Sequence, residues 1–212
     1  LQITGGRKLT AIDYIMPIAS AQVKSAILLA SLYAEDISSV VSPGICRNHT
    51  EILLEFFSQT SSGASEIVVD IPGDLSSAAF FLVGAAITPG ADLTIKNVGI
   101  NPTRNGIIEI LTIMGADITV NNSAVVNGEP RGDLRVRFSQ QLQGIVVPPG
   151  LIANAIDDLP AICLAAACAN GITEIRGAAE LRVKESDRLA MLAKGFTSLG
   201  IMVNEFADGL EI

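Results

Sequence analysis

The segment Gly106-Ile107-Ile108-Glu109-Ile110-Leu111-Thr112-Ile113-Met114-Gly115-Ala116-Asp117-Ile118-Thr119-Val120 reads as a helix, a glycine stop and a strand. A helix pattern runs to Met114, Gly115 stands where a helix C-cap favours glycine, and a strand follows over Asp117 to Val120. The joint returns at Leu199-Gly200-Ile201, between a helix pattern over Asp187 to Leu199 and a strand over Met202 to Phe206. Extended from these joints, the chain falls into three copies of one order of signals. The first has helices over Ser20 to Ala34 and His49 to Phe57, with strands over Ile37 to Val41 and Glu66 to Ile71. The second has a helix over Ser76 to Ile87 and a strand over Asp92 to Val98 before the segment quoted above. The third begins with a helix over Pro160 to Ala169 and a strand over Ile172 to Arg176.

Equivalent positions recur after roughly 55 to 85 residues, too long for a common solenoid repeat and suited to a duplicated α/β unit. Each copy offers one Ala-rich helix that is apolar nearly all round, and so buried, and one amphipathic helix to cover a sheet. Leu134-Arg135-Val136-Arg137-Phe138 alternates as a half-exposed strand. Ile71-Pro72-Gly73-Asp74 is the best boundary between domains, because Pro-Gly breaks a strand as the second copy begins.

At ~150 residues per domain, 212 residues make one large domain or two incomplete ones. Hydrophobic residues at 49% and charged ones at 17% supply a core and argue against disorder. A mean hydropathy of +0.47 raises the question of a membrane. The apolar runs Ala78 to Ile87 and Ala161 to Ala169 fall short of the ~20 residues of a spanning helix, so they read as buried helices. With 22 acidic against 14 basic residues and no basic tract, nucleic acid is excluded, and a small anion must meet local clusters of Arg and Lys. Cys46, Cys163 and Cys168 are too few for a disulfide framework and fit a reducing, cytoplasmic setting. Cys163 and Cys168 read as small buried hydrophobes, and Cys46 with His49 is two ligands short of a zinc site. No signal peptide is visible. The chain begins without Met and stops after a strand-like segment, so a piece of a longer protein is expected.

Three stretches could carry chemistry. In Pro17-Ile18-Ala19-Ser20-Ala21-Gln22-Val23-Lys24-Ser25-Ala26, Ser20 is a good N-cap, and small residues behind it let backbone N–H groups approach an anion beside Gln22. The plain alternative is a capped helix with a solvent-facing Lys24. In Glu180-Leu181-Arg182-Val183-Lys184-Glu185-Ser186-Asp187-Arg188, six of nine residues are charged where a strand gives way to a helix. Alternation there puts Arg182 and Lys184 on one face, with Arg188 entering the helix; a surface ion-pair cluster is the competing reading. In Ala155-Ile156-Asp157-Asp158-Leu159-Pro160, Pro160 suits a first helical turn, Asp158 suits the cap, and Asp157 is left to act as a general base. Gly5-Gly6-Arg7-Lys8 lacks P-loop spacing, and His49 has no G-x-S-x-G partner, so neither a nucleotide site nor a hydrolase follows. Arg47 and Arg104 open helical segments and could reach anions or be solvated.

Together these stretches resemble the 5-enolpyruvylshikimate-3-phosphate synthase (3-phosphoshikimate 1-carboxyvinyltransferase) family. The matching motifs are Ser20 to Ala26, Arg47 to Glu51, Pro72 to Ala78, Asn101 to Arg104, Ile156 to Pro160 and Glu180 to Arg188, in the family's order and over nearly the whole chain. The resemblance implies an α/β fold of enolpyruvyl transferase type, with repeated β-α-β-α-β-β units in two similar domains (an inside-out α/β barrel). Both would be incomplete here, one over residues 1–71 and the other over 72–212. It implies transfer of the enolpyruvyl group of phosphoenolpyruvate to the 5-hydroxyl of shikimate 3-phosphate, by addition and elimination with release of phosphate. That serves aromatic amino-acid biosynthesis in a cytoplasmic enzyme that is monomeric at full length, with no metal or organic cofactor.

By motif, Ser20, Ala21, Gln22, Arg47, Asp157 and Lys184 would hold shikimate 3-phosphate, and Gln22 and Arg188 would hold phosphoenolpyruvate. Asp157 would accept the hydroxyl proton, Glu185 would assist proton transfer, and Lys184 would serve both binding and catalysis. The family's N-terminal Lys-Ser and Arg pair, its Asn-Ala-Gly-Thr loop with the following Arg, and its C-terminal Arg and Lys are missing from this chain, so by itself it should be silent. Asp158 stands where the family often has Glu. Two rivals remain: the sister transferase acting on UDP-N-acetylglucosamine, whose Cys loop is not found, and a non-catalytic anion-binding module of the same fold.

Overall fold

The computed structural model describes residues 2–60 and 66–212. They divide into two compact units, residues 1–69 and residues 70–212. In the first unit, β1 (Asp13–Ile15) and β2 (Ser39–Val41) pair in parallel, with Tyr14 opposite Val40, and α1 (Ala21–Ser31) makes the crossover. A parallel pair needs such a connection, and a helix is its usual form. α2 (His49–Thr60) follows and packs on α1, where Ser25 and Thr50 share a 2.6 Å hydrogen bond. Among the described residues, Met16 is the one fully buried hydrophobic side chain of this unit.

The second unit opens with α3 (Leu75–Ile87), β3 (Asp92–Gly99), α4 (Gly106–Ile113), β4 (Asp117–Val126) and β5 (Glu129–Arg137). It continues through α5 (Pro149–Ala155), α6 (Leu159–Ala167), β6 (Glu174–Ile175), a 3-10 turn over Ala179–Arg182, α7 (Arg188–Ser198), β7 (Asn204–Phe206) and β8 (Gly209–Glu211). Two antiparallel sheets form, in the orders β3-β5-β4 and β6-β8-β7. The helices lie inside and the sheets outside. Leu82, Val83, Ile107, Ile110, Leu111 and Ile162 are fully buried, whereas Val120 and Val125 on β4 are exposed. No closed barrel is present among the described residues, as expected for an incomplete domain of this type. No single described helix is long and apolar enough to cross a membrane.

The glycine stops take the left-handed conformation, with φ of +92° at Gly115 and +81° at Gly200, which releases a carbonyl-capped helix end into the next strand. Alternation along β5 is real: Leu134 and Val136 are buried, while Arg135 and Arg137 pair outside with Asp92 and Asp117. Other expectations need correction. Residues 66–72 form no strand. Asp70 finds no ladder partner there; its N–H donates to Asn127 Oδ1 at 2.9 Å, and its carbonyl accepts from Arg131. Cys163 is buried, and burial pushes its thiol pKa up to about 12, whereas Cys168 ends α6 exposed. Helix α5 forms although its seven residues carry no strong periodic signal.

The space around the backbone makes two glycines respond oppositely to substitution. A Cβ at Gly209 would sit 1.8 Å from the Ile175 carbonyl oxygen, so Gly209→Ala should break the β6–β8 pairing and lower the urea midpoint sharply. Gly150 in α5 meets nothing within 4 Å, and Gly150→Ala should raise stability by about 0.5–1 kcal/mol in the same titration.

Candidate active site

In the first unit, Ser20 is the N-cap of α1, with extended backbone (φ −143°, ψ 111°) and its hydroxyl accepting from the Val23 N–H at 3.3 Å. Ala21 and exposed Gln22 are the first two helical residues, next to the N–H groups that a helix start leaves unpaired. Lys24 does not face solvent. It is 8% exposed and forms an ion pair with Glu51 of α2, which pins the two helices together. Arg47 is half-buried in the loop that enters α2. The positive end of α1 is suited to an anion.

In the second unit, helices α5 and α6 meet at a bend of 119°, and Asp157 lies in that bend. Lys184 Nζ stands 4.0 Å from Asp157 Oδ1 and 2.7 Å from Glu180 Oε1, so residues 27 positions apart are brought together. Arg188 donates to Glu185 Oε2 at 2.7 Å across the start of α7. The backbone amide of Glu185 and then the Arg188 guanidinium hold the Glu185 carboxyl below its ordinary range. It is therefore a carboxylate at neutral pH. Asp187 caps α7 through the Ala190 N–H at 3.0 Å, and this bond, ahead of Arg182, lowers its pKa.

A family model described as EPSP synthase (3-phosphoshikimate 1-carboxyvinyltransferase) matches residues 1–212. The chain belongs to the EPSP synthase family. It is 53% identical over 216 residues to 3-phosphoshikimate 1-carboxyvinyltransferase of Acidithiobacillus ferrooxidans, an alignment covering 96% of this chain and 50% of the relative. It is 50% identical to the protein of that name from Methylococcus capsulatus, covering 100% and 51%. A solved structure of EPSP synthase from Acinetobacter baumannii superimposes with a TM-score of 0.86 at 49% identity, covering 99% of this chain and 50% of that one. The chain thus spans about half the length of the relatives it matches.

Within this EPSP synthase fold, two local expectations fail. Residues 179–182 form a 3-10 turn rather than a strand end, so Arg182 and Lys184 do not share a face. Arg182 turns inward to Asp187, Glu205 and the Phe206 and Ala207 carbonyls, while Lys184 turns to Asp157 and Glu180. Asp158 occupies the N-cap position of α6, yet its side chain makes no capping hydrogen bond. The carboxyl is buried at 3% exposure, and burial raises its pKa against the opposing effects of the Ser76 hydroxyl and Arg104.

Arg104 is the residue whose role the sequence left open: one NH2 group lies 2.9 Å from both Asp74 Oδ1 and Ser76 Oγ at the start of α3. The signal was the Pro-Gly-Asp-Leu-Ser-Ser run, with Asp74 as a helix cap. Among the described residues, no three His, Cys, Asp or Glu side chains are grouped to hold a metal ion.

Because the native state holds the Asp158 proton more tightly than the unfolded chain does, ionising this carboxyl as pH rises past the carboxylate range costs stability. Asp158→Asn should therefore raise the thermal midpoint at pH 7. Scanning calorimetry at decreasing pH should show that gain fade as the wild-type carboxyl becomes protonated.

Proposed function

We propose that the complete protein transfers the enolpyruvyl group of phosphoenolpyruvate to the 5-hydroxyl of shikimate 3-phosphate and releases phosphate. The observation that carries this reading, beyond family membership, is the approach of Lys184 Nζ to Asp157 Oδ1 at 4.0 Å. It sets a carboxylate able to take a hydroxyl proton beside a cation able to hold a phosphorylated substrate. The family motifs assign Ser20, Ala21, Gln22, Arg47, Asp157 and Lys184 to shikimate 3-phosphate and Gln22 and Arg188 to phosphoenolpyruvate, Arg188 through the two-pronged contact that suits Arg.

In this mechanism, Asp157 accepts the 5-hydroxyl proton as that oxygen bonds to the enol carbon, while the methylene carbon gains a proton. Glu185 assists proton movement, and loss of a proton from the new methyl group then expels phosphate. The two compact units correspond to parts of the two enolpyruvyl transferase domains, residues 1–71 and 72–212, in a cytoplasmic enzyme that works as a monomer. Its small-molecule substrates are its ligands, with no nucleic acid or membrane involved.

Calorimetry on the complete protein tests the reading. Shikimate 3-phosphate should bind at or below millimolar concentration, and silence there would overturn the proposal. Asp157→Ala should lower kcat by about 100-fold or more with a much smaller change in substrate binding, because a lost general base acts in the transition state. The 212-residue chain by itself should turn over neither substrate in a phosphate-release assay.

A further inference from the structure

An aspartate at an N-cap position normally turns its carboxyl to the first free N–H groups of the helix. Asp158 does not. Its carboxyl points into the second unit, where Oδ1 is buried and accepts no hydrogen bond among the described residues. The groups that act on it are Ser76, Arg104, Asp157 and Asp74. A capping bond has been given up and an acid buried, a combination that lowers stability and so calls for a different role.

The surrounding geometry supplies one. Ser76 Oγ and Asp74 Oδ1 both receive the Arg104 guanidinium at 2.9 Å, while Asp74 Oδ2 caps α3 through the Ser77 N–H at 2.9 Å. Arg104 is itself held by a rigid turn. Asn101 is 3% exposed, and its Oδ1 accepts from the Thr103 N–H at 2.9 Å and hydroxyl at 2.7 Å. The Pro102 carbonyl accepts from Asn154 Nδ2 of α5 at 3.1 Å, and Gly106 approaches so closely that a Cβ there would lie 3.0 Å from Ala155. The Asn-Pro-Thr-Arg turn is thus wedged between the start of α3 and the α5–α6 bend that carries Asp157.

We propose that Arg104 and Asp158 are positioning residues for Asp157: with Ser76 and Asp74 they tie the start of α3 to the α5–α6 bend and so set the Asp157 carboxylate opposite Lys184. This inference rests on the reading of Asp157 as the proton acceptor given above. Neither residue touches substrate. Arg104 supplies the positive charge that lets Asp74, Asp157 and Asp158 stand close together, and the buried Asp158 carboxyl fixes the backbone of its neighbour by being unable to turn outward.

The test uses the complete protein with Arg104→Gln, Asp158→Asn and the double variant, and reads both rate and geometry. Each single variant should lower kcat by about 10- to 100-fold, the effect of a small misplacement of a reacting group, while KM for shikimate 3-phosphate stays within about threefold. Asp158→Asn should do so with a thermal midpoint no lower than wild type, which a purely structural role would not allow. The double variant should fall no further than about threefold below the worse single, because both act through one group.

Independently of turnover, lysines carrying 13C-methyl groups report the Lys184 environment by NMR, with Lys184→Arg assigning the signal. Arg104→Gln and Asp158→Asn should shift that signal in the same direction as Asp157→Asn. A kcat within about twofold of wild type, or a Lys184 signal unmoved in both single variants, overturns the inference. If the wild-type protein turns over neither substrate, the enolpyruvyl reading fails by itself, and the Lys184 signal still decides whether these residues position Asp157.

Discussion

An almost wholly apolar helix must bury most of its surface, and α3 and α6 both do so, leaving Phe80, Phe81 and Leu164 as their exposed large apolar side chains. Leu75, Ala78, Ala79, Leu82, Val83, Ala85 and Ala86 on the first, and Leu159, Ala161, Ile162, Cys163, Ala165 and Ala166 on the second, are all buried. Burying each large aliphatic side chain contributes about 1.5–3 kcal/mol, so separating these helices from each other or from α4 would remove much of the unit's stability. The many alanines let the backbones approach closely, and the sheets are left to wrap the outside. That arrangement has a functional consequence. The N-termini of α3 and α6 are carried by the core itself, and Asp74, Ser76, Asp157 and Asp158 sit at or beside them.

The charge balance follows the same logic at the other end of the site. Clustered cations repel, and the folded unit holds Arg182, Lys184 and Arg188 within seven residues by giving each its own carboxylate. Arg182 takes Asp187 and Glu205, Lys184 takes Glu180 and Asp157, and Arg188 takes Glu185. These pairs are partly exposed, so each adds little to stability. Their effect is to fix each side chain's direction, Arg182 toward the β7 end and Lys184 toward the α5–α6 bend.

Much of this was legible in the sequence because it is local. Helix patterns and the left-handed glycines at 115 and 200 follow from backbone preference and hydrophobic period. The alternation along β5 follows from the twofold period of a strand. The motifs that carry family membership are likewise short runs. The misreadings were of another kind. A strand over residues 66–71, a shared face for Arg182 and Lys184, a capping role for Asp158 and a solvated Lys24 were each the default for an isolated segment. Each was displaced by a partner distant in sequence: Asn127 and Arg131 for Asp70, Glu205 and the β7 end for Arg182, Ser76 and Arg104 for Asp158, and Glu51 for Lys24.

The sequence by itself therefore determined the repeated α/β order, the buried helices and the residue types available for phosphate and proton chemistry, since those depend on neighbours within a few positions. Only the tertiary structure decided which charges meet. Asp157 finds Lys184, and Arg104 finds Asp74 and Ser76, across 27 to 30 residues. Such pairings are set by how apolar helices pack, and packing couples every element of the unit at once, so no local reading of the chain contains it.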